Sequence, residues 1–275
     1  MTAAEKIADL LKKYPANAHV HAVDEPKKSG NGTRPIAKPN QELKLWLRRV
    51  NRHLNKQFPK WPEFMHGGIA RRSYVTYARP HVGKQCVVTV DVKACFDSIT
   101  RNEVLAAMQK HLGLSDKVTR QLASRLCFRG KVPQGFPTSN FLSNLYLLDT
   151  LTALHASFEI RQLDLGNYVD DIVVSGSITD PAAVVNELAT ALSRAKLKMS
   201  KAKVKVMPRT ERQTVCGLLV NKRLTLTHQL KARLLSEVSK HEMGEASLAG
   251  WLLNLGNVDP KFKRKLRILA ARRGY

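Results

Sequence analysis

The chain has 275 residues, enough for one large domain or two to three subdomains around a substantial core. Its 46 Lys and Arg against 22 Asp and Glu leave a net charge of +24, which predicts salt-sensitive attraction to a polyanion, nucleic acid ahead of an anionic membrane surface. No apolar run approaches the roughly 20 residues that span a bilayer, and Cys86, Cys95, Cys127 and Cys216 lack the paired spacing of a zinc site or disulfide framework, so reduced thiols in a cytoplasm are expected.

Thr2-Ala3-Ala4-Glu5, followed by Ile7, Leu10 and Leu11, predicts a capped amphipathic helix and not a secretory signal. Asp24 to Thr33, containing Lys27-Lys28-Ser29-Gly30-Asn31-Gly32, reads as a hairpin turn. Prolines then hold Arg34-Pro35-Ile36-Ala37-Lys38-Pro39 extended. Two readings of that piece stay open: a solvated edge strand, or a flap whose cations Arg34 and Lys38 grip a triphosphate. From Asn40 to about Phe58, Leu43, Trp46, Leu47, Val50 and Leu54 fall on one helical face, with Lys44, Arg48, Arg49 and Arg52 elsewhere. After a Pro/aromatic break, His66-Gly67-Gly68-Ile69-Ala70-Arg71-Arg72 reads as a basic, flexible element. His81, in Tyr77-Ala78-Arg79-Pro80-His81, reads as a packing histidine.

Cys86-Val87-Val88-Thr89-Val90 is a buried-looking strand that runs into Asp91. Thr100-Arg101-Asn102-Glu103 is a capping box, and a second helix is expected from Ser115 to about Phe128. The Gly- and Pro-containing stretch Arg129 to Ser139 then opens a long helix that Leu142, Leu145, Tyr146 and Asp149 mark as mostly buried. In Gly166 to Gly176, Asp170-Asp171 sits at a tight connection between Val169 and Ile172-Val173-Val174, both read as strand. A bare Asp-Asp pair is most simply a solvated turn. Adjacent carboxylates repel each other and lose solvation on burial, so they call for a cation. Asp91, 79 residues earlier, changes the balance. Three carboxylates delivered by strand ends to one edge make a site for two Mg²⁺ ions, hard cations that take oxygen ligands. In two-metal nucleotidyl transfer, one ion activates the attacking 3′-hydroxyl and the other neutralises the triphosphate. Asp91 and Asp170 would bridge the ions, with Asp171 the lesser ligand.

Asp180-Pro181 starts a further helix with Val184, Val185, Leu188, Ala191 and Leu192 inward. The alternation from Lys196 to Val206 reads as a strand with a lysine-lined face. Val215 to Val220 and Leu224-Thr225-Leu226 look like a hairpin. The last fifty residues read as helical, and Lys261 to Tyr275 carries seven cations and no acids. Strands interleaved with helices, without a single β-α-β period, indicate an α+β fold.

In this order the pieces resemble the motifs of a reverse transcriptase over most of the chain. Val90-Asp91-Val92-Lys93-Ala94-Cys95-Phe96-Asp97-Ser98-Ile99 resembles the family's first catalytic motif. Pro133-Gln134-Gly135-Phe136-Pro137-Thr138-Ser139 resembles its nucleotide-binding loop, and Tyr168-Val169-Asp170-Asp171 matches its second catalytic motif. Within the family the chain looks like the bacterial retron enzymes. Their Asn-Ala-x-x-His has a counterpart in Tyr77-Ala78-Arg79-Pro80-His81, with Tyr for Asn, and their Val-Thr-Gly in Val215-Cys216-Gly217, with Cys for Thr. Gly250-Trp251-Leu252 followed by Val258-Asp259 is also retron-like. Another bacterial defence or intron lineage is the alternative.

The resemblance implies a right-hand polymerase: fingers over 1–84 with a 103–133 insert, a palm over 85–220 whose antiparallel sheet is backed by helices, and a short helical thumb over 221–275. It implies Asp91, Asp170 and Asp171 as Mg²⁺-binding catalytic residues, and Lys201 as the acid that protonates pyrophosphate. Phe96 would bar a 2′-hydroxyl, Gln134 and Gly135 would line the nucleotide, and Arg34 and Lys38 would bind its phosphates. The implied partners are dNTPs, an RNA/DNA hybrid, a structured non-coding RNA that is both template and primer, and a separate effector protein. RNA-linked DNA for phage defence would be the product. A catalytically silent RNA-binding scaffold on the same fold is the competing reading, and the intact acids weigh against it. An RNA-dependent RNA polymerase is disfavoured by Phe96.

Overall fold

The computed structural model describes residues 2–26, 32–58, 60–256 and 258–275. Helix α1 (Ala3–Lys12) begins at a reciprocal capping box between Thr2 and Glu5. Strands β1 (Val20–Pro26) and β2 (Thr33–Pro39) pair antiparallel, Val20 opposite Pro39 and Pro26 opposite Thr33. Residues 27–31, which carry most of the expected hairpin turn, lie outside the described residues. Asn40 caps α2 (Gln41–Gln57), which buries the five apolar residues spaced for one face and seats Trp46 on α1 through a 2.8 Å bond to the Leu10 carbonyl.

After α3 (Tyr74–Ala78), strand β3 (Cys86–Asp91) leads into the single turn α4 (Cys95–Ser98), then α5 (Arg101–His111) and α6 (Asp116–Leu126). Helix α7 (Ser139–Ile160) precedes β4 (Asp164–Tyr168) and β5 (Asp171–Gly176), and α8 (Pro181–Arg194) precedes β6 (Lys205–Pro208). The four strands form one antiparallel sheet in the order β4-β5-β3-β6. Side chains alternate across a strand, so its two faces serve different cores. Val88, Val90, Ile172 and Val174 join the core of α1, α2 and α5 to α8, whereas Val87 and Val173 join a second core. That second core lies under the three short strands β7 (Thr214–Val215), β8 (Leu218–Leu219) and β9 (Thr225–Leu226) and the helices α9 (His228–Ser239), α10 (Glu245–Leu255) and α11 (Pro260–Arg272).

Three local expectations are corrected. The lysine-rich stretch from 196 to 206 is strand only from Lys205, because the Ser200 N–H bonds the Asp91 carbonyl at 2.8 Å and turns the chain across the end of β3. Lys201–Lys203 is a 3₁₀ turn instead. Asp149 is not buried: its carboxylate lies on the surface and pairs with Lys110 at 2.7 Å. The expected hairpin after Val215 is a three-strand meander that turns at Cys216-Gly217, where both residues have positive φ. Among the described residues no helix is long and apolar enough to cross a membrane.

Candidate active site

Antiparallel pairing of β3 with β5 sets Asp91 directly opposite Asp171. Asp170 occupies the β4–β5 turn, and its carbonyl accepts the Val92 N–H at 2.8 Å. Two ordinary ladder interactions thus bring together acids that are distant in the chain. The turn itself is strained. Val169 has φ 60°, a region that β-branched residues avoid and that costs of order 1–3 kcal/mol. Its neighbours hold it there: Asn167 Nδ2 donates to the Val169 carbonyl at 3.0 Å, and Gly67 packs so closely that a Cβ would lie 2.4 Å from Val169 Cγ2. The segment expected to be flexible is therefore pinned. His66 N–H bonds the Asn167 carbonyl at 2.8 Å, Asn144 Nδ2 bonds the Gly67 carbonyl at 2.7 Å, and Arg72 holds the carbonyls of Trp61, Pro62 and Met65.

Excess negative charge is built into this edge. Burial, reinforced by the Asp91 charge, raises the Asp170 carboxyl above the ordinary range. Burial and then the charges of Asp170 and Asp91 push Asp171 up to about 6. Lys203 Nζ lies 2.6 Å from Asp91 Oδ1, the one ion pair to these three acids among the described residues. That bond, above all, raises the Lys203 pKa. On the far side, the Tyr77 hydroxyl donates to the Asp171 carbonyl at 3.2 Å and the Cys216 thiol to Asp171 Oδ2 at 3.8 Å. Burial drives both groups up, so they stay protonated donors. His81 is the packing residue expected: it is buried, bonded through Nδ1 to Ser175 Oγ at 2.7 Å, and held neutral by burial with a pKa lowered to about 4.

In front of Asp91 and Asp170 lies a cavity of about 610 Å³, also lined by Arg34, Phe96, Gln134 and Lys203. Arg34 reaches it from β2, and its buried Nε has no hydrogen-bond partner among the described residues. Gln134 reaches it from the loop before α7, which is tied to β2 by the Ala37 N–H bonding the Gln134 carbonyl at 2.7 Å. Gly135 permits that contact: its φ is +119° and a Cβ would lie 2.5 Å from the Ala37 carbonyl oxygen. It stands behind the cavity wall and not in it.

Three other expected residues also stand apart. Lys38 is exposed and paired with Glu25 at 2.8 Å. Lys201 is exposed, and the lysine against the acids is Lys203, two positions on. Asp171 faces an adjoining cavity with Tyr77 and Cys216, and Asp91 and Lys203 line both. Sequence reasoning missed Lys203, Ser200 and Asp97 in the wall. Five lysines between 196 and 205 left no local signal for the first, and Asp97 was quoted only as part of a motif.

Carboxylate oxygens are the donors that Mg²⁺ takes, and here they are under-neutralised. Among the described residues no group of three or more His, Cys, Asp or Glu closes into a ready cage. Such a site fits an ion whose remaining ligands are water and substrate phosphate. Without divalent ions, the Asp171 carboxyl has a visible stability cost. Below about pH 4 it holds its proton in both the folded and unfolded chain. Unfolded, it ionises near 3.8, whereas folded it ionises near 6, so the cost grows between those values and is complete above them. In chelator, Asp171→Asn is therefore expected to stabilise the chain at pH 7.5 by on the order of 1–3 kcal/mol, a gain that vanishes below about pH 4. Thermal melts of both proteins across that range check it, and a gain independent of pH would refute the assigned cause.

Residues 26–229 match the family described as reverse transcriptase (RNA-dependent DNA polymerase). A retron Mx65 reverse transcriptase from Myxococcus xanthus is 28% identical over 266 residues, covering 88% of this chain and 62% of that protein. A retron Ec86 reverse transcriptase from Escherichia coli is 25% identical over 240 residues, covering 85% and 74%. A retron Se72 reverse transcriptase from Salmonella heidelberg is 25% identical over 142 residues, covering 52% and 37%. The chain thus spans between about a third and three quarters of the length of these relatives. Telomerase from Candida albicans, solved with a fragment of telomeric RNA, superposes with a TM-score of 0.50 at 12% identity over 98% of this chain and 60% of that one, a likeness of fold alone. A match over residues 26–229 places the chain in the reverse transcriptase family, and its relatives place it with the bacterial retron type.

Proposed function

We propose that the chain is an RNA-directed DNA polymerase whose catalytic centre is the cavity edged by Asp91 and Asp170. The observation that carries this reading is the convergence on one cavity of under-neutralised acids, an arginine whose Nε has no hydrogen-bond partner among the described residues, and a half-buried phenylalanine. Asp91, Asp170 and, from the side, Asp171 would hold Mg²⁺, which when bound supplies positive charge for the triphosphate and acidifies the primer hydroxyl. Arg34 binds phosphate oxygens with its free N–H. Gln134 would bound the nucleotide from the loop bonded to β2. The primer 3′-hydroxyl would give up its proton to solvent as its oxygen attacks the α-phosphorus, the bond from that phosphorus to the pyrophosphate oxygen would break, and the Lys203 ammonium would give the departing oxygen a proton. Lys203 takes the role expected of Lys201 because it is the lysine at the acids. Fingers, palm and thumb follow the boundaries 1–84 with 103–133, 85–220 and 221–275.

Primer extension on an RNA template with Mg²⁺ and dNTPs tests the reading. A DNA product is expected, whereas intact RNA binding without product at any Mg²⁺ concentration would favour the scaffold. The reverse transcriptase match supports an RNA template; beyond it, the motif resemblance leads us to propose a structured non-coding RNA as that template, its own 2′-hydroxyl as primer, and RNA-linked DNA made in the cytoplasm for phage defence with a separate effector. Sequencing nucleic acid that copurifies with the chain tests this part, and unbranched cDNA or an unrelated RNA would point to another lineage.

Phe96 follows Ala94, which adopts φ 48° at the start of α4, and its ring stands in the cavity wall. Phe96→Ala is expected to raise ribonucleotide use relative to deoxynucleotide by roughly 10–200-fold, the range that small steric changes in a pocket produce. Competition between dNTP and rNTP in single-nucleotide extension measures it. Unchanged sugar preference would make Phe96 a packing residue only.

A further inference from the structure

Helix α2 has two faces of opposite character. Leu43, Leu47, Val50 and Leu54 are buried. Opposite them Lys44, Arg48, Arg52 and Lys56 recur every fourth residue, and all four are exposed. A row with that spacing climbs about 18 Å along the helix while drifting roughly 120° around it. Arg49 is exposed beside it. Lys6 of α1 joins the same field: after burial, the charges of Lys6, Lys56 and Arg52 are what lower the pKa of His53.

Like charges four apart weaken a helix, so this pattern works against the element that carries it. An ordinary solvated face intersperses acids, as elsewhere here, where Lys13 pairs with Asp9, Arg120 with Asp116 and Arg233 with Glu237, each four residues apart. Among the described residues none of these six cations, five on α2 and Lys6 on α1, has an ion-pair partner. None lines the catalytic cavity.

We propose that this row is a docking surface for the phosphate backbone of a folded RNA, outside the template–primer duplex. The identity of that RNA as the one copied rests on the polymerase reading above; the phosphate-binding role of the row does not. A single-sign row with regular spacing suits a polyanion of regular charge spacing. A membrane surface fits poorly: an interfacial helix buries an apolar face in lipid, and the apolar face of α2 is already buried in the core.

The test uses the whole chain with Arg48→Gln, Arg52→Gln and Lys56→Gln combined. The probes are a stem-loop RNA carrying flanking helices and a bare primer–template duplex. The slope of log K against log salt for the stem-loop is expected to fall by about 3, about one per cation removed. Melting temperature should hold or rise, and extension of the bare duplex should be unchanged. An unchanged slope would make the row a plain solvated face. An equal loss on the bare duplex would place it in the polymerase groove, and a larger loss of binding to anionic vesicles than to RNA would make it a membrane contact; each overturns the proposal. Failure of both wild-type and variant to extend the duplex would count against the polymerase reading alone, since the salt slope still reports on the row.

Discussion

Asp170→Asn lowers primer extension by roughly 10³-fold or more while leaving RNA affinity nearly intact. The substitution preserves shape and removes one charge at the β4–β5 turn, where the Asp170 carbonyl, not its side chain, makes the 2.8 Å bond to Val92. The local backbone therefore has no reason to move. On the proposed assignment, what is lost is a ligand for the ions that would bear the charge of the transferring phosphate, and losing even a single hydrogen-bond donor to such charge costs about 10²–10³ in other enzymes. RNA affinity is carried elsewhere, by a surface excess of cations over acids that stays near the native +24. The same change should raise thermal stability in chelator, because it removes a buried, repelled carboxylate. Single-turnover extension, filter binding and melting of one preparation report all three. Near-native extension would remove Asp170 from the metal assignment, and lost RNA binding would mean that the turn had collapsed.

Lys203→Met lowers single-turnover extension by roughly 10²–10⁴, the usual worth of a positioned proton donor, whereas Lys201→Met changes it little. The 3₁₀ turn rises about 2.0 Å per residue with three residues per turn, so positions 201 and 203 point in different directions. Only Lys203 lies against Asp91. A purely charge-balancing lysine would be replaced well by arginine, but a proton donor would not, since guanidinium does not give up its proton in this range. Lys203→Arg should thus bind nucleotide normally, remain slow, and lose the dependence of rate on pH. Equal losses at 201 and 203 would return the assignment to the position favoured by sequence resemblance.

Much of this architecture was open to reading because its causes are local. A β-branched strand that ends in an acid, a capping box, and an Asn or Asp before an apolar period each act within a few residues. The three acids could be brought together on paper because two strands ending in acids have few ways to pair. Lys203 was not accessible by that route. The 3₁₀ turn that selects it is set by the Ser200 N–H reaching the Asp91 carbonyl, a contact across more than a hundred residues. Gly67 and Val169 illustrate the same limit. Their close packing, which turned a supposedly flexible glycine pair into a clamp on the β4–β5 turn, depends on where two remote segments cross. Gly135 does admit a close approach, and the group that approaches it here is the backbone of β2.

That last contact has a mechanical corollary. Because the Ala37 amide is bonded to the Gln134 carbonyl with no side chain between them, the strand bearing Arg34 and the loop bearing Gln134 are coupled where both line the cavity. If the cavity takes a triphosphate as proposed, Arg34 and Gln134 would reach it from one hydrogen-bonded unit, so a shift of either element would carry the other with it.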